Sequence, residues 1–180
     1  SAEDSRKVTV KDRTDIVYAR NIAEEGNSVI AYLVKNDQQG FDMYISAEGG
    51  VKAPSDIRAL FAQYNSDTST LGTGWNANIT KIDFAGNFDT SETTTMDALF
   101  YGCTNLTTVL GIEQLSTQNV TNISRLFTNC SSIDNVDLSA WNTSNVKNIS
   151  RLFQGCTSLS NVRLNWDETN TRNFTDISYA

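Results

Sequence analysis

The sequence predicts an α/β repeat solenoid of short parallel strands and short helical turns, with an N-terminal β-hairpin cap. Two observations carry that prediction: a 26–27-residue unit recurs through the later part of the chain, and the residues before it read as a hairpin. The unit is plain in Ile123-Ser-Arg-Leu-Phe-Thr-Asn-Cys130, in Ile149-Ser-Arg-Leu-Phe-Gln-Gly-Cys156 and in Met96-Asp-Ala-Leu-Phe-Tyr-Gly-Cys103. Phe100, Phe127 and Phe153 are spaced by 27 and 26 residues, as are Cys103, Cys130 and Cys156, and Leu106, Ile133 and Leu159. A second half follows in each copy, where Trp141-Asn-Thr-Ser-Asn-Val146 matches Leu115-Ser-Thr-Gln-Asn-Val120 and, more weakly, Phe88-Asp-Thr-Ser-Glu-Thr93. Coincidence at so many positions is the signature of a repeat architecture.

Each part of the unit has a physical reading. Ile133-x-x-Val136-x-Leu138 places Val136 and Leu138 on one face of a short strand, with Ile133 entering the same core. Ile123-x-x-Leu126-Phe127 has the i, i+3, i+4 spacing of a helical turn facing inward. Thr143-Ser144-Asn145 suits a turn, because these side chains bond nearby backbone groups. One strand and one turn cannot bury a core alone, whereas copies stacked at about 4.8 Å can.

Weaker copies flank the clear ones. Ile57-Arg-Ala-Leu60-Phe61 fits the helical half, and Ile79-Thr-Lys-Ile82-Asp-Phe84 fits the strand half. The longer interval from Phe61 to Phe100 implies an insertion of about 13 residues, placed at 63–74. Trp166, Phe174 and Ile177 keep part of the frame, so about four and a half units are expected over 55–180. Residues 1–54 do not repeat. There Val29-Ile-Ala-Tyr-Leu-Val-Lys35, a loop over 36–40 and Phe41-Asp-Met-Tyr-Ile-Ser46 form the hairpin, with residues 15–19 as a third strand and residues 48–50 as a turn. Pro54 and Ser55 suit the start of the first helical turn. The expectation is one continuous domain, with a cap over 1–54 and a solenoid over 55–180.

The frame Phe-x-Gly-Cys-x-Ser-Leu-x-x-Val-x-Leu, followed by Ser-x-Trp-Asn-Thr-Ser-Asn-Val-x-Asn-Ile, resembles BspA-like leucine-rich repeat surface proteins. It is more similar still to the roughly 25-residue branch found in Firmicutes and Mycoplasma surface proteins and lipoproteins. The resemblance covers residues 55–177, and Ile45-Ser-Ala-Glu-Gly-Gly-Val-Lys-Ala-Pro54 looks like the lead-in common before such repeats. It implies a leucine-rich-repeat-like, right-handed solenoid, secreted or at the surface of a bacterium, used in adhesion to host or neighbouring-cell molecules. Departures are visible: the first unit lacks Cys, Leu115 takes a Trp position, and Asp167-Glu-Thr replaces Asn-Thr-Ser.

Composition narrows the function classes. Fourteen Lys and Arg stand against 21 Asp and Glu among 180 residues, giving a net charge of -7 and a pI near 4.5. Such a surface repels phosphate backbones, so nucleic acid is not an expected partner. No apolar run approaches the 18 or so residues of a spanning helix, so membrane insertion is not expected. The chain has no histidine, which removes His-ligated zinc and every Ser-His or Cys-His nucleophilic pair. The start, Ser1-Ala2-Glu3-Asp4-Ser5, has neither Met nor a basic-then-apolar leader, and a targeting segment is expected to have been removed.

Candidate chemistry is sparse. The three cysteines fall one per unit and are expected as buried thiols, although stacked units would also permit a disulfide. Eight Asn-x-Ser/Thr matches, including Asn119, Asn122, Asn142 and Asn148, fall at repeat positions and are better explained by turn chemistry than as glycosylation sites. Asp83 and Asp137 are expected roughly 10 Å apart, and no other acid pair resembles a glycosidase site, so no catalysis and no cofactor are expected. Asp89 with Glu92, or Asp167 with Glu168, lacks the loop pattern of a calcium site. Trp75 is expected against Phe61 and Tyr64, and Trp141 and Trp166 in the core ladder with Phe88 and Leu115, although the long loop ending at Trp75 leaves a contact role open. Arg58, Arg125 and Arg151 are read as matching positions, either a basic ridge or ion-paired.

The candidate partner-binding face is the outer side of the strands: Lys81, Asp83, Thr108, Leu110, Asn135, Asp137, Asn161 and Arg163. These positions vary while the core positions between them stay alike. The expected partner is a protein or glycoprotein on a host or neighbouring cell, met by a monomer, with a structural spacer as the alternative role.

Overall fold

The computed structural model describes residues 16–21, 30–36, 40–46, 51–65, 70–72, 75–84 and 88–166. The turn expected at residues 48–50, the partial last unit around Phe174 and Ile177, and the acids Asp167 and Glu168 lie outside the described residues. The strands are β1 (Ile16–Asn21), β2 (Ile30–Lys35), β3 (Phe41–Ser46), β4 (Val51–Lys52), β5 (Gln63–Asn65) and β6 (Thr70–Gly72). They continue as β7 (Ile79–Asp83), β8 (Phe88–Asp89), β9 (Thr108–Leu110), β10 (Asn135–Leu138) and β11 (Asn161–Leu164).

The expected hairpin is present: β2 and β3 pair antiparallel with Tyr32 opposite Tyr44, and β1 adds the third strand alongside β2. Its loop closes when the Asn36 amide donates to the Gly40 carbonyl at 3.1 Å and the Gly40 amide donates to Asn36 Oδ1 at 3.0 Å. Gly40 is required by space, since a Cβ there would lie 2.6 Å from Thr80 Cγ2 and 2.9 Å from the Asn78 carbonyl oxygen. That close approach lets β3 pair in parallel with β7, and β7 with β9, giving a mixed sheet in the order β1-β2-β3-β7-β9. A separate parallel pair joins β10 to β11, and another joins β4 to β8. The insertion at 63–74 carries its own small hairpin, in which β5 pairs antiparallel with β6.

The helical turns expected in each unit do not form. The described residues are rich in sheet and almost free of helix, with short 3-10 turns at Trp75–Asn78 and Ile112–Gln114. In the third unit the amides of Ile123, Arg125, Phe127 and Asn129 donate outward to the carbonyls of Asn148, Ser150, Leu152 and Gln154, at 2.7–3.0 Å. Met96, Ala98, Phe100 and Gly102 donate in the same way to Asn122, Ser124, Leu126 and Thr128 at 2.8–2.9 Å. The amides between them bond three residues back, as Leu99 does to Met96 and Tyr101 to Ala98. Alternation of this kind needs a left-handed residue in each turn, and Ala59, Ala98, Arg125 and Arg151 all have φ between 53° and 58°. A left-handed residue stops an α-helix at once, and a segment this short would not nucleate one. Even so, the apolar residues at i, i+3 and i+4 still point inward, because Ile123, Leu126 and Phe127 are fully buried.

Side chains repeat along the stack as the backbone does. Phe61, Phe100, Phe127 and Phe153 stack face to face, with successive centroids 5.5, 4.9 and 5.9 Å apart and interplanar angles of 3°, 19° and 12°. All three cysteines are free thiols, and Cys130 and Cys156 donate to the carbonyls of Phe100 and Phe127 at 3.1 and 3.0 Å. Burial pushes the Cys130 thiol well above its ordinary pKa, and raises Cys156 to about 11. Threonine hydroxyls cross between units, from Thr90 to the Ser116 carbonyl at 2.8 Å and from Thr117 to that of Asn142 at 3.0 Å. Asn119 and Asn145 donate to the carbonyls of Ser91 and Gln118, while the Oδ1 atoms of Asn122, Asn142 and Asn148 each accept an amide two residues ahead. These asparagines do the turn work expected of them.

Phe127 meets a stacked ring on both sides, so Phe127→Ala should cost about 3–5 kcal/mol in chemical denaturation. A loss below about 1 kcal/mol would mean that the ladder is misassigned. Cys130 should react with thiol reagents only at the rate of unfolding, and fast labelling under native conditions would contradict its burial.

Candidate binding face

Strand alternation turns one set of side chains inward and leaves the other outside. Met43, Ile82 and Val109 align across β3, β7 and β9 as the inward row, and Val136 and Leu138 do the same on β10. The eight sequence-derived face residues all lie on the outward rows. Direct pairing sets Lys81 beside Thr108 and Asp83 beside Leu110, then Asn135 beside Asn161 and Asp137 beside Arg163. The two groups of four are not joined in one sheet, because β9 and β10 do not pair. The reason is local: Gly111, with φ of 78°, stands where neighbouring units place Phe84 and Leu138. It turns the chain into the 3-10 turn at Ile112–Gln114, and Ile112 replaces the missing core side chain. Trp141, buried as expected, anchors that turn by donating its indole N–H to the Ile112 carbonyl at 2.8 Å.

The members of the face are not equivalent. Lys81 is half-buried, pairs with Asp42 Oδ2 at 2.8 Å, donates to the Tyr44 hydroxyl at 2.9 Å and sits 4.9 Å from the Tyr44 ring centre. Asn36 also donates to Asp42 Oδ1 at 2.8 Å, and Thr80 does so at 3.2 Å. Lys81 therefore pins β7 to β3. Asp137 and Arg163 approach only to 3.9 Å with 46% and 69% of their side chains exposed, so water and salt screen that pair. Asp137 accepts from the Ser139 hydroxyl and amide at 2.6 and 3.0 Å, bonds that hold its carboxyl below the usual carboxylate value. Leu110 is 44% exposed, a large apolar side chain offered to solvent.

Asp42 and Tyr44 extend the outward row onto β3, where they register with Lys81 and Asp83. Sequence reasoning missed them because residues 1–54 show no repeat, although Phe41-Asp-Met-Tyr has the same inward and outward alternation as the later strands. Two of the three arginines, Arg58 and Arg125, form ion pairs. Arg58 registers with Asp97, Ser124 and Ser150, one position ahead of Arg125 and Arg151, because Asp56 bridges Thr95 and that ladder continues to Asn148. Arg58 pairs with Asp56, and Arg125 with the buried Asp97, which Ser124 Oγ also reaches at 2.7 Å. The side-chain packing expected for Trp75 lies outside what is described. Among the described residues, no group of three or more His, Cys, Asp or Glu side chains is placed to hold a metal ion.

Burial disfavours the Asp42 charge, yet bonds from Lys81, Asn36 and Thr80 outweigh it and hold its carboxyl below the ordinary value. Its contribution to stability is thus fully present above about pH 4 and is lost as pH falls through the lowered folded value. Asp42→Asn should destabilise the protein at pH 7, and the gap from the unmodified chain should shrink when urea melts are repeated near pH 2. An undiminished gap there would assign the loss to packing instead of charge.

Residues 56–180 match the family described as "Mycoplasma protein of unknown function, DUF285". This agrees with the resemblance of the repeat to BspA-like leucine-rich repeat surface proteins. No curated protein matches the chain. Among solved structures, the leucine-rich repeat protein of T. pallidum is 16% identical, with a TM-score of 0.31, over 82% of this chain and 78% of its own. A leucine-rich cell surface protein from Faecalibacterium prausnitzii is 12% identical, with a TM-score of 0.25, over 83% of this chain and 41% of its own.

Proposed function

The chain belongs to the DUF285 family, and on that premise we propose that it is a non-catalytic module of a bacterial cell surface, or secreted, that binds a protein or glycoprotein on a host or neighbouring cell. The observation that carries this reading is the contrast between the two sides of the strands. Inward positions stay apolar from unit to unit except at Gly111, while the outward positions change in charge and polarity, from Lys81 to Thr108 to Asn135 and from Asp83 to Leu110, Asp137 and Arg163. Packing demands the first and leaves the second free for recognition.

In this reading the stacked units are a leucine-rich-repeat-like solenoid over 55–180, with residues 1–54 as its cap. Its hand is right-handed, as nearly all parallel strand crossovers are. A preordered surface binds at low ordering cost, which suits a protein that must hold a partner without chemistry. A monomer meets its partner through Leu110 and the exposed Asp137–Arg163 pair, while Lys81 serves mainly to fix the sheet.

The test is a screen of the immobilised chain against matrix proteins, mucins and common glycans at physiological salt. A saturable partner should lose roughly tenfold or more in affinity with Leu110→Ala, and severalfold with Asp137→Ala or Arg163→Ala, at unchanged melting temperature. Silence across the panel, with an effect on cells that tracks the length of the protein, would favour a spacer instead.

A further inference from the structure

The break in the sheet leaves β9 as an edge strand, paired with β7 on one side only. Beside it, between β9 and β10, lies a cleft of about 450 Å³. Val109 and Val136 contribute its apolar walls, while Glu113, Asp134 and Asp137 bring three carboxylates and no lysine or arginine lines it. The exposed Leu110 stands at the end of the same strand. Elsewhere the two units stay closed, with Phe100 stacked 4.9 Å from Phe127 and Thr95 bridged to Asn122. The opening is therefore a notch on the strand side of the stack.

We propose that this notch takes an extended, basic peptide segment, added as a strand along the free edge of β9 with its lysine or arginine side chains facing Glu113, Asp134 and Asp137. The proposal rests on the binding-module reading and names the partner chemistry for it. An unpaired edge offers a row of backbone donors and acceptors, the groups that strand addition uses. The carboxylates select the sign of the partner, and the net charge of -7 draws a basic segment from a distance. A second copy of the chain would bring the same negative charge, and nucleic acid would be repelled too. Because β9 has only three residues, the ladder is short and ionic contacts must carry much of the affinity.

The probe is a nine-residue peptide of alternating Lys and Val, labelled and titrated by fluorescence anisotropy into the intact chain, beside a Glu-for-Lys version and one N-methylated at alternate amides. Saturable binding of the basic peptide is expected, weakened roughly tenfold or more by Glu113→Lys and by Asp134→Lys, and changed less than about twofold by Glu92→Lys on another face. N-methylation should abolish it, and the amide of Val109, the β9 residue whose N–H faces away from β7, should gain protection from hydrogen exchange in the complex. Equal binding of the N-methylated peptide or of the acidic one, indifference to Glu113→Lys, or no binding at all would overturn the proposal. A panel partner sensitive to Arg163→Ala alongside a silent peptide would sink the notch and leave the binding face standing. Peptide binding with a silent panel would do the reverse for the host-partner reading.

Discussion

Everything in this structure depends on backbone hydrogen bonding between successive units. In the turns that begin at Ile57, Met96 and Ile123, alternate amides donate to carbonyls one unit further along the chain. That arrangement works only if consecutive units bring the same positions into register, which is why the intervals hold at 26 or 27 residues from Phe100 to Phe153. It also requires left-handed backbone at Ala59, Ala98, Arg125 and Arg151, at about 1–2 kcal/mol each for residues with a Cβ. Inter-unit bonds of about 1 kcal/mol apiece, several to a unit, offset that strain.

Once the backbone repeats in register, each side chain meets its own counterpart, and ladders follow. Phenylalanine stacks on phenylalanine, and cysteine thiols reach the phenylalanine carbonyls of the preceding unit. Threonine and asparagine satisfy the turn carbonyls that stacking leaves over. A ladder constrains its members to be alike, since one odd side chain disturbs two neighbours. Outward strand positions have no such constraint, and the changes from Lys81 to Thr108 and from Asp137 to Arg163 follow from that freedom. Constrained and unconstrained positions thus occupy opposite sides of the same strands.

The irregular places are the informative ones. Gly111 replaces a core residue, the chain turns, and β9 is left as an edge beside an acidic notch. The hairpin before the repeats contributes Asp42 and Tyr44, which convert Lys81 from a surface charge into a strut between β3 and β7. Neither effect belongs to the repeat; each arises where a departure from it meets a neighbour.

By itself the sequence determined the repeat, the identity of the buried ladder, the hairpin of β2 and β3, and the outward position of the candidate face. These follow from periodicity, because a position recurring at fixed spacing must play one structural part in every copy. Tertiary structure alone decided three further matters. The i, i+3, i+4 spacing of Ile123, Leu126 and Phe127 fits an inward turn of either helical or stacked kind, and only competition for the backbone amides by the adjacent unit selects the second. The pairing of Lys81 with Asp42 joins residues 39 apart in sequence, across a junction no period marks. The division of the face at Gly111 depends on where β10 lies once Trp141 has anchored the turn. In each case the deciding partner is distant in the chain, and local pattern carries no information about a partner brought near only by folding.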